Sequence, residues 1–164
     1  MIKEKPSPSI FEPAQSIATS VLPEDEKLWV PYSDSVWYKP LMFNTVNGQW
    51  IDVLRVRRQG TLSRHRHLAP VHGYVIKGKW RYLEHDWVAS AGMYVFEPPG
   101  EPHTLVVDDT EEMITLFNLS GGVVFLDEKD NAIGFEDVFV KIEHCRRYYE
   151  QIGLDKDYVN QFIR

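Results

Sequence analysis

Three histidines carry the chemical signal of this chain: His65, His67 and His103. His65 and His67 stand two apart, so on a strand both imidazoles leave the same face. His103 follows the turn Pro98-Pro99-Gly100, where a rigid bend can return it towards the pair. Two histidines from one strand and a third from a neighbour can cap one face of a metal ion. Such a set leaves coordination positions open. That is how non-haem Fe(II) binds a substrate and O2 together, although imidazole also suits Zn and Ni, and Mn is a further alternative. Three neutral imidazoles leave the ion its full charge, which favours an anionic chelating substrate.

The spacing around these histidines forms two motifs. The first runs from Gly60 through His65-x-His67 and Val71 to Gly78. The second runs from Gly92 through Pro98-x-Gly100 to His103. Together they resemble the two signature motifs of the cupin superfamily, small β-barrels that often hold one metal. Three departures stand out. Gly60 lies one residue closer to His65 than is typical, Val107 replaces the usual asparagine, and Val71 replaces the usual ligand glutamate. His72 could stand in for that glutamate if the preceding loop is counted one residue longer. That count puts Lys79, not Gly78, at the closing glycine, so Val71 is preferred and His72 is read as lying beside the site.

The stretches YKPL, LRVRRQG, HRHLAPVHGYVIKG, WRYLEHDWV and YVFEPPGEPHTLVV, in that order, are similar to the 2,4'-dihydroxyacetophenone dioxygenase family of cupins. The similarity runs from about Phe11 to the C-terminal helix. It implies a mononuclear iron enzyme that uses O2 to cleave a C–C bond beside a carbonyl, in a small aromatic hydroxyketone or a diketone. The competing class is a non-catalytic, zinc-binding cupin that senses a small molecule or regulates a partner protein.

Alternation after Gly78 places Trp80 and Tyr82 on one side and Lys79 and Arg81 on the other. If the aromatics face inward they line a substrate pocket, and Leu105, sharing the parity of His103, joins them with Val71 and His72. Glu84 shares the parity of Trp80 and Tyr82. It could supply the missing carboxylate, as a fourth ligand or as a general base. The other reading ends the strand by Leu83 and turns Glu84 outward as a surface acid. Arg64 and Arg66 alternate with the ligands and point away from them. Gly73 would leave room near the metal.

These residues need a barrel to hold them. From Trp37 onward the chain reads as short strands between turn signals, Asn47-Gly48 being a hairpin signal between Leu41–Val46 and Gln49–Val56. The fold class is therefore all-β, a double-stranded β-helix or jelly roll. Residues 1–35 read as a proline-interrupted arm with apolar docking residues (Ile10, Phe11, Ile17, Val21, Leu22), 36–136 as the barrel and 137–164 as a helical segment. Val138, Ile142, Cys145 and Tyr149 recur at helical spacing, with Asp137 to cap the start and Gly153 to end it.

The totals agree with one domain. The 164 residues are 43% hydrophobic, enough for a closed core. A net charge of −6 without a basic run argues against nucleic acid and anionic membrane as partners. One cysteine excludes an internal disulfide. The absence of an apolar leader or spanning stretch makes the cytoplasm the default. A long arm on a cupin barrel suggests a homodimer or homotetramer.

Overall fold

Alternating burial along the chain resolves into twelve strands in the computed structural model, which describes residue 14 and residues 16–57, 59–108 and 112–164. They are β1 (Val30–Ser33), β2 (Val36–Asn44), β3 (Gln49–Val56), β4 (Thr61–His67), β5 (Val71–Lys77), β6 (Lys79–Tyr82), β7 (Ala89–Ser90), β8 (Tyr94–Glu97), β9 (His103–Val106), β10 (Met113–Ser120), β11 (Val123–Leu126) and β12 (Ala132–Glu136). One helix, α1 (Val138–Gln151), follows.

The strands form two six-stranded sheets, in the orders β1-β2-β3-β10-β5-β8 and β12-β11-β4-β9-β6-β7. Paired strands run antiparallel. This is the jelly roll expected from the strand spacing, with the inward side chains of both sheets forming the core between them. That core is aromatic as well as aliphatic: Tyr38, Phe43, Trp50, Trp80 and Phe117 are all buried in it.

Three local readings change in detail. The β2–β3 hairpin pairs Asn44 with Gln49, so its loop spans Thr45–Gly48 rather than the two residues Asn47-Gly48. The Asn44 carboxamide accepts from the backbone of Val46 and Asn47, and Gly48 takes the left-handed conformation (φ 72°) that closes the turn. Within the arm, Val30–Ser33 join the first sheet as β1. Ile17, Val21 and Leu22 are exposed instead of docked. Ile10 and Phe11 lie outside the described residues.

The helix follows its apolar stripe. Asp137 caps it by accepting from the amides of Phe139 and Val140, and its buried face is Val138, Lys141, Ile142, Cys145 and Tyr149. Gly153 (φ 83°) ends it. The last apolar pair, Tyr158 and Phe162, lies in a short 3-10 helix. Among the described residues no helix is long and apolar enough to cross a membrane.

Candidate metal centre

Strand pairing brings the histidines together. β4 pairs with β9 so that His65 stands opposite His103, and the period of two puts His67 on the same face as His65. Their ligating nitrogens all lie within 4.8 Å of one another. Nε2 of His103 is 3.2 Å from Nε2 of His65. All three side chains are buried.

A carboxylate completes the cluster, and it is not Glu84. Glu97, the last residue of β8, is 2% exposed. Its Oε2 lies 2.9 Å from Nε2 of His67 and 3.7 Å from Nε2 of His103. Its Oε1 accepts a 2.5 Å hydrogen bond from the Tyr82 hydroxyl. Sequence reading missed this residue because it sought the acid at position 71 or 84. The signal was nonetheless present: along β8 burial alternates, with Val95 and Glu97 inward and Tyr94 and Phe96 outward. A carboxylate at an inward strand position needs a partner.

Glu84 turns outward because β6 ends at Tyr82. Its carboxylate pairs with Arg64 at 2.6 Å and accepts from the amide and hydroxyl of Thr104 at 2.8 and 3.1 Å. Neither the ligand role nor the general-base role suits that position. Arg64 also pairs with Asp130, on the same outer surface.

Several buried polar atoms fit a bound cation. Nδ1 of His65 is 2.7 Å from the Ser63 carbonyl. Donating its proton there leaves the Nε2 lone pair facing the other ligands. Oε2 of Glu97 faces the imidazoles of His67 and His103. Burial, then the neighbouring His67, pushes the His65 imidazole down to about 4. Burial, then His65, pushes His103 down to about 3. Both are therefore neutral donors at ordinary pH. Burial works against the charge on Glu97, but the nearby His67 outweighs it and holds the carboxyl below its usual range. Three imidazole nitrogens and one carboxylate oxygen form a donor set suited to a divalent transition metal.

The cluster opens on a cavity between the sheets. Tyr82 forms one wall, its ring stacked on His103 with centroids 4.1 Å apart and planes 13° apart. Val71, Leu105, Leu54, Leu62, Phe117 and Phe125 supply the apolar lining. Two expected pocket residues are elsewhere. His72 lies on the outer face of β5, its Nδ1 2.7 Å from the Tyr94 hydroxyl, because its parity is opposite to that of Val71. Trp80 faces inward but packs beyond the cavity lining, against Tyr82, Trp87 and Phe117, and donates to Thr115 at 3.0 Å. Gly73 makes room for a ring rather than for the metal: a Cβ there would lie 2.9 Å from Phe117.

The same cavity has a second polar group that the sequence reading did not single out. Lys141 of α1 reaches in to pair with Asp52 of β3 at 2.9 Å and with Glu136 of β12 at 3.3 Å. Tyr32 donates to Glu136 at 2.8 Å. Burial disfavours a charged lysine, yet Asp52 and Glu136 outweigh it and keep Lys141 protonated. Burial raises the Asp52 carboxyl, opposed by Lys141. Both residues were legible as inward: Lys141 lies on the stripe of Val138 and Cys145, and Asp52 shares the parity of Trp50 and Leu54.

Comparison with known proteins agrees with this architecture. Residues 18–121 match the family described as the ChrR cupin-like domain. An RmlC-like cupin protein of Ralstonia eutropha JMP134 is 33% identical, with 76% of this chain and 81% of that one covered and a TM-score of 0.72. An acetylacetone dioxygenase of Acinetobacter johnsonii is 16% identical, with 84% and 98% covered and a TM-score of 0.70. The complex of SigE with the anti-sigma factor ChrR from Rhodobacter sphaeroides includes a chain 18% identical, with 56% and 48% covered and a TM-score of 0.50. No curated protein matches. With its family match spanning most of the barrel and the three-histidine cluster inside it, the chain belongs to the ChrR cupin-like domain family of the cupin superfamily.

Proposed function

We propose that this chain is a mononuclear iron dioxygenase that cleaves a C–C bond beside a carbonyl in a small hydroxyketone or diketone, similar to 2,4'-dihydroxyacetophenone dioxygenase. One observation carries the reading: three buried imidazoles and a buried carboxylate converge at the wall of an apolar cavity. His65, His67, His103 and Glu97 would hold the ion. When bound, iron would supply a centre at which a chelated enolate and O2 can react.

The remaining work falls to the chain. Leu54, Leu62, Val71, Leu105, Phe117 and Phe125 exclude water and accept the apolar body of the substrate. Tyr82 fixes two ligands at once, stacking on His103 and hydrogen-bonding Glu97, which limits their rotation.

A second reading is a zinc-holding cupin that senses a small molecule or regulates a partner protein, and the match to the ChrR cupin-like family supports a regulatory role. Metal content after purification without added metal, followed by oxygen uptake after anaerobic Fe(II) loading, separates the two. Iron with O2 consumption on 2,4'-dihydroxyacetophenone or acetylacetone, and 18O from O2 in both cleavage products, supports the enzyme. Tightly held zinc, with no uptake after iron loading, supports the regulator.

A further inference from the structure

Of the ten glycines in the chain, nine have a reason to be glycine within the fold. Seven take a positive φ, where a side chain is strained. At Gly60 and Gly73 a Cβ would press on Ser35 at 2.5 Å and on Phe117 at 2.9 Å. Gly134 has neither reason. Its φ lies outside the left-handed region, and a Cβ there would stand 3.7 Å from Phe125, an ordinary contact. Glycine weakens a strand interior, and in β12 it marks a place where something from outside the strand must come close.

The cavity shows what that is. Of its lining residues, Tyr32, Leu62 and Phe125 are partly exposed and the others are buried. These three mark where the chamber meets solvent. Leu62 and Phe125 stand on β4 and β11 of one sheet, and Tyr32 stands on β1, the edge of the other. Gly134 is exposed and is the cross-strand partner of Phe125. Directly paired residues share a face, so a side chain at 134 would project over the mouth. The Phe125 ring in turn lies beside His65, with centroids 6.4 Å apart. A path therefore runs from the surface past Gly134 and Phe125 to the histidine cluster.

The other margin of the mouth is braced. Glu136, two residues on along the same face of β12, accepts from Tyr32 at 2.8 Å and pairs with Lys141, which also holds Asp52. β1 and β12 are edge strands of opposite sheets and do not pair with each other. The network ties them across the open side of the sandwich. Buried ionic groups frequently stabilise less than apolar replacements would. Holding two unpaired edges at a fixed separation is a use that an apolar contact, which has no direction, serves less well.

We propose that the gap beside Gly134, between Phe125 and Tyr32, is the entrance to the metal centre, that the missing side chain at 134 sets the largest ligand admitted, and that the Tyr32–Glu136 bond fixes its width. The ligands it passes are small anions and slim, flat chelating molecules. The inference rests on a metal at the histidines and on no particular reaction, so it holds for the dioxygenase and the regulator alike.

The protein is loaded with Co(II), whose visible spectrum reports ligation without turnover, and binding of azide and of acetylacetone is followed by stopped flow. In Gly134→Leu, acetylacetone should associate about tenfold more slowly or worse, because entry now waits on a rearrangement. Its dissociation should slow equally, leaving Kd unchanged, and azide should be unaffected. Tyr32→Phe should speed acetylacetone severalfold and leave azide alone. An unchanged ratio of the two rates there would overturn the brace. Equal acetylacetone rates in Gly134→Leu and the parent, or a change in Kd carried by dissociation alone, would overturn the entrance. Because Cys145 is buried, a thiol reagent on Gly134→Cys modifies position 134, which keeps the test independent of how Gly134→Leu folds. A benzyl adduct should slow acetylacetone more than a methyl adduct, and reduction should restore the rate. Equal rates before and after benzylation would overturn the proposal. A parent that holds no cobalt would overturn it together with the metal centre, whereas an iron-loaded protein that consumes no O2 would sink the dioxygenase reading alone.

Discussion

Burial of neutral imidazoles at the metal centre should make the metal-free protein sensitive to mild acid. His65 and His103 titrate at about 4 and about 3 in the folded chain, against 6.5 when unfolded. Below 6.5 the unfolded chain therefore binds protons that the folded chain refuses. Stability is full above that value and falls as pH drops, until the folded-state groups titrate near 4 and 3. At about 1.36 kcal/mol per pH unit, the interval from 6.5 to 5 amounts to about 2 kcal/mol for each imidazole. The pair then contributes about 4 kcal/mol, a large share of the 5–15 kcal/mol typical of a domain. His144, also lowered by burial, acts in the same direction, so a difference measurement is needed. Urea unfolding of the chelator-treated protein and of His103→Gln, at pH 7.5 and pH 5, provides it. The variant should lose about 2 kcal/mol less than the parent over that interval. Equal losses in both proteins would refute a buried, neutral His103.

Four further outcomes follow from the same contacts. Glu97→Gln should weaken metal binding by about tenfold to a hundredfold, read by competition with a coloured chelator, whereas Glu84→Gln should leave it unchanged. Tyr82→Phe keeps the stack on His103 but removes the hydrogen bond to Glu97, so metal affinity should fall and the Glu97 carboxyl should rise in a 13C-detected titration. Gly73→Val should displace Phe117 and destabilise the fold by about 1–3 kcal/mol, measured by thermal unfolding. Ile133, Phe135 and Phe139 are 69%, 67% and 60% exposed around the edge strand β12. A homo-oligomer is expected to cover them, and Phe135→Lys should shift the mass measured by light scattering towards a single chain.

How much of this was readable without coordinates depends on the range of each interaction. Period-two alternation is local, so the facing of His65 with His67 and the inward parity of Tyr82 follow from the chain itself. Helical spacing and its caps are local too, and α1 begins and ends where Asp137 and Gly153 place it. Cupin membership rests on motif spacing, which residues 18–121 bear out.

What tertiary structure alone decided were choices between positions of equal local merit. Glu84 lies just past the end of one strand and Glu97 at the end of another. β6 stops at Tyr82, releasing Glu84 to Arg64 and Thr104, while β8 runs through Glu97 and holds it inward. Strand ends are set by pairing with neighbours: β8 is held against β5, where Glu97 lies opposite Val71. The position of the expected glutamate thus has the buried Glu97 as its cross-strand partner. Likewise Asp52 and Lys141, 89 residues apart in sequence, each look like an anomaly on an apolar face. Only the docking of α1 on the barrel brings the two charges together, because an ion pair spanning that separation exists only once the fold has closed.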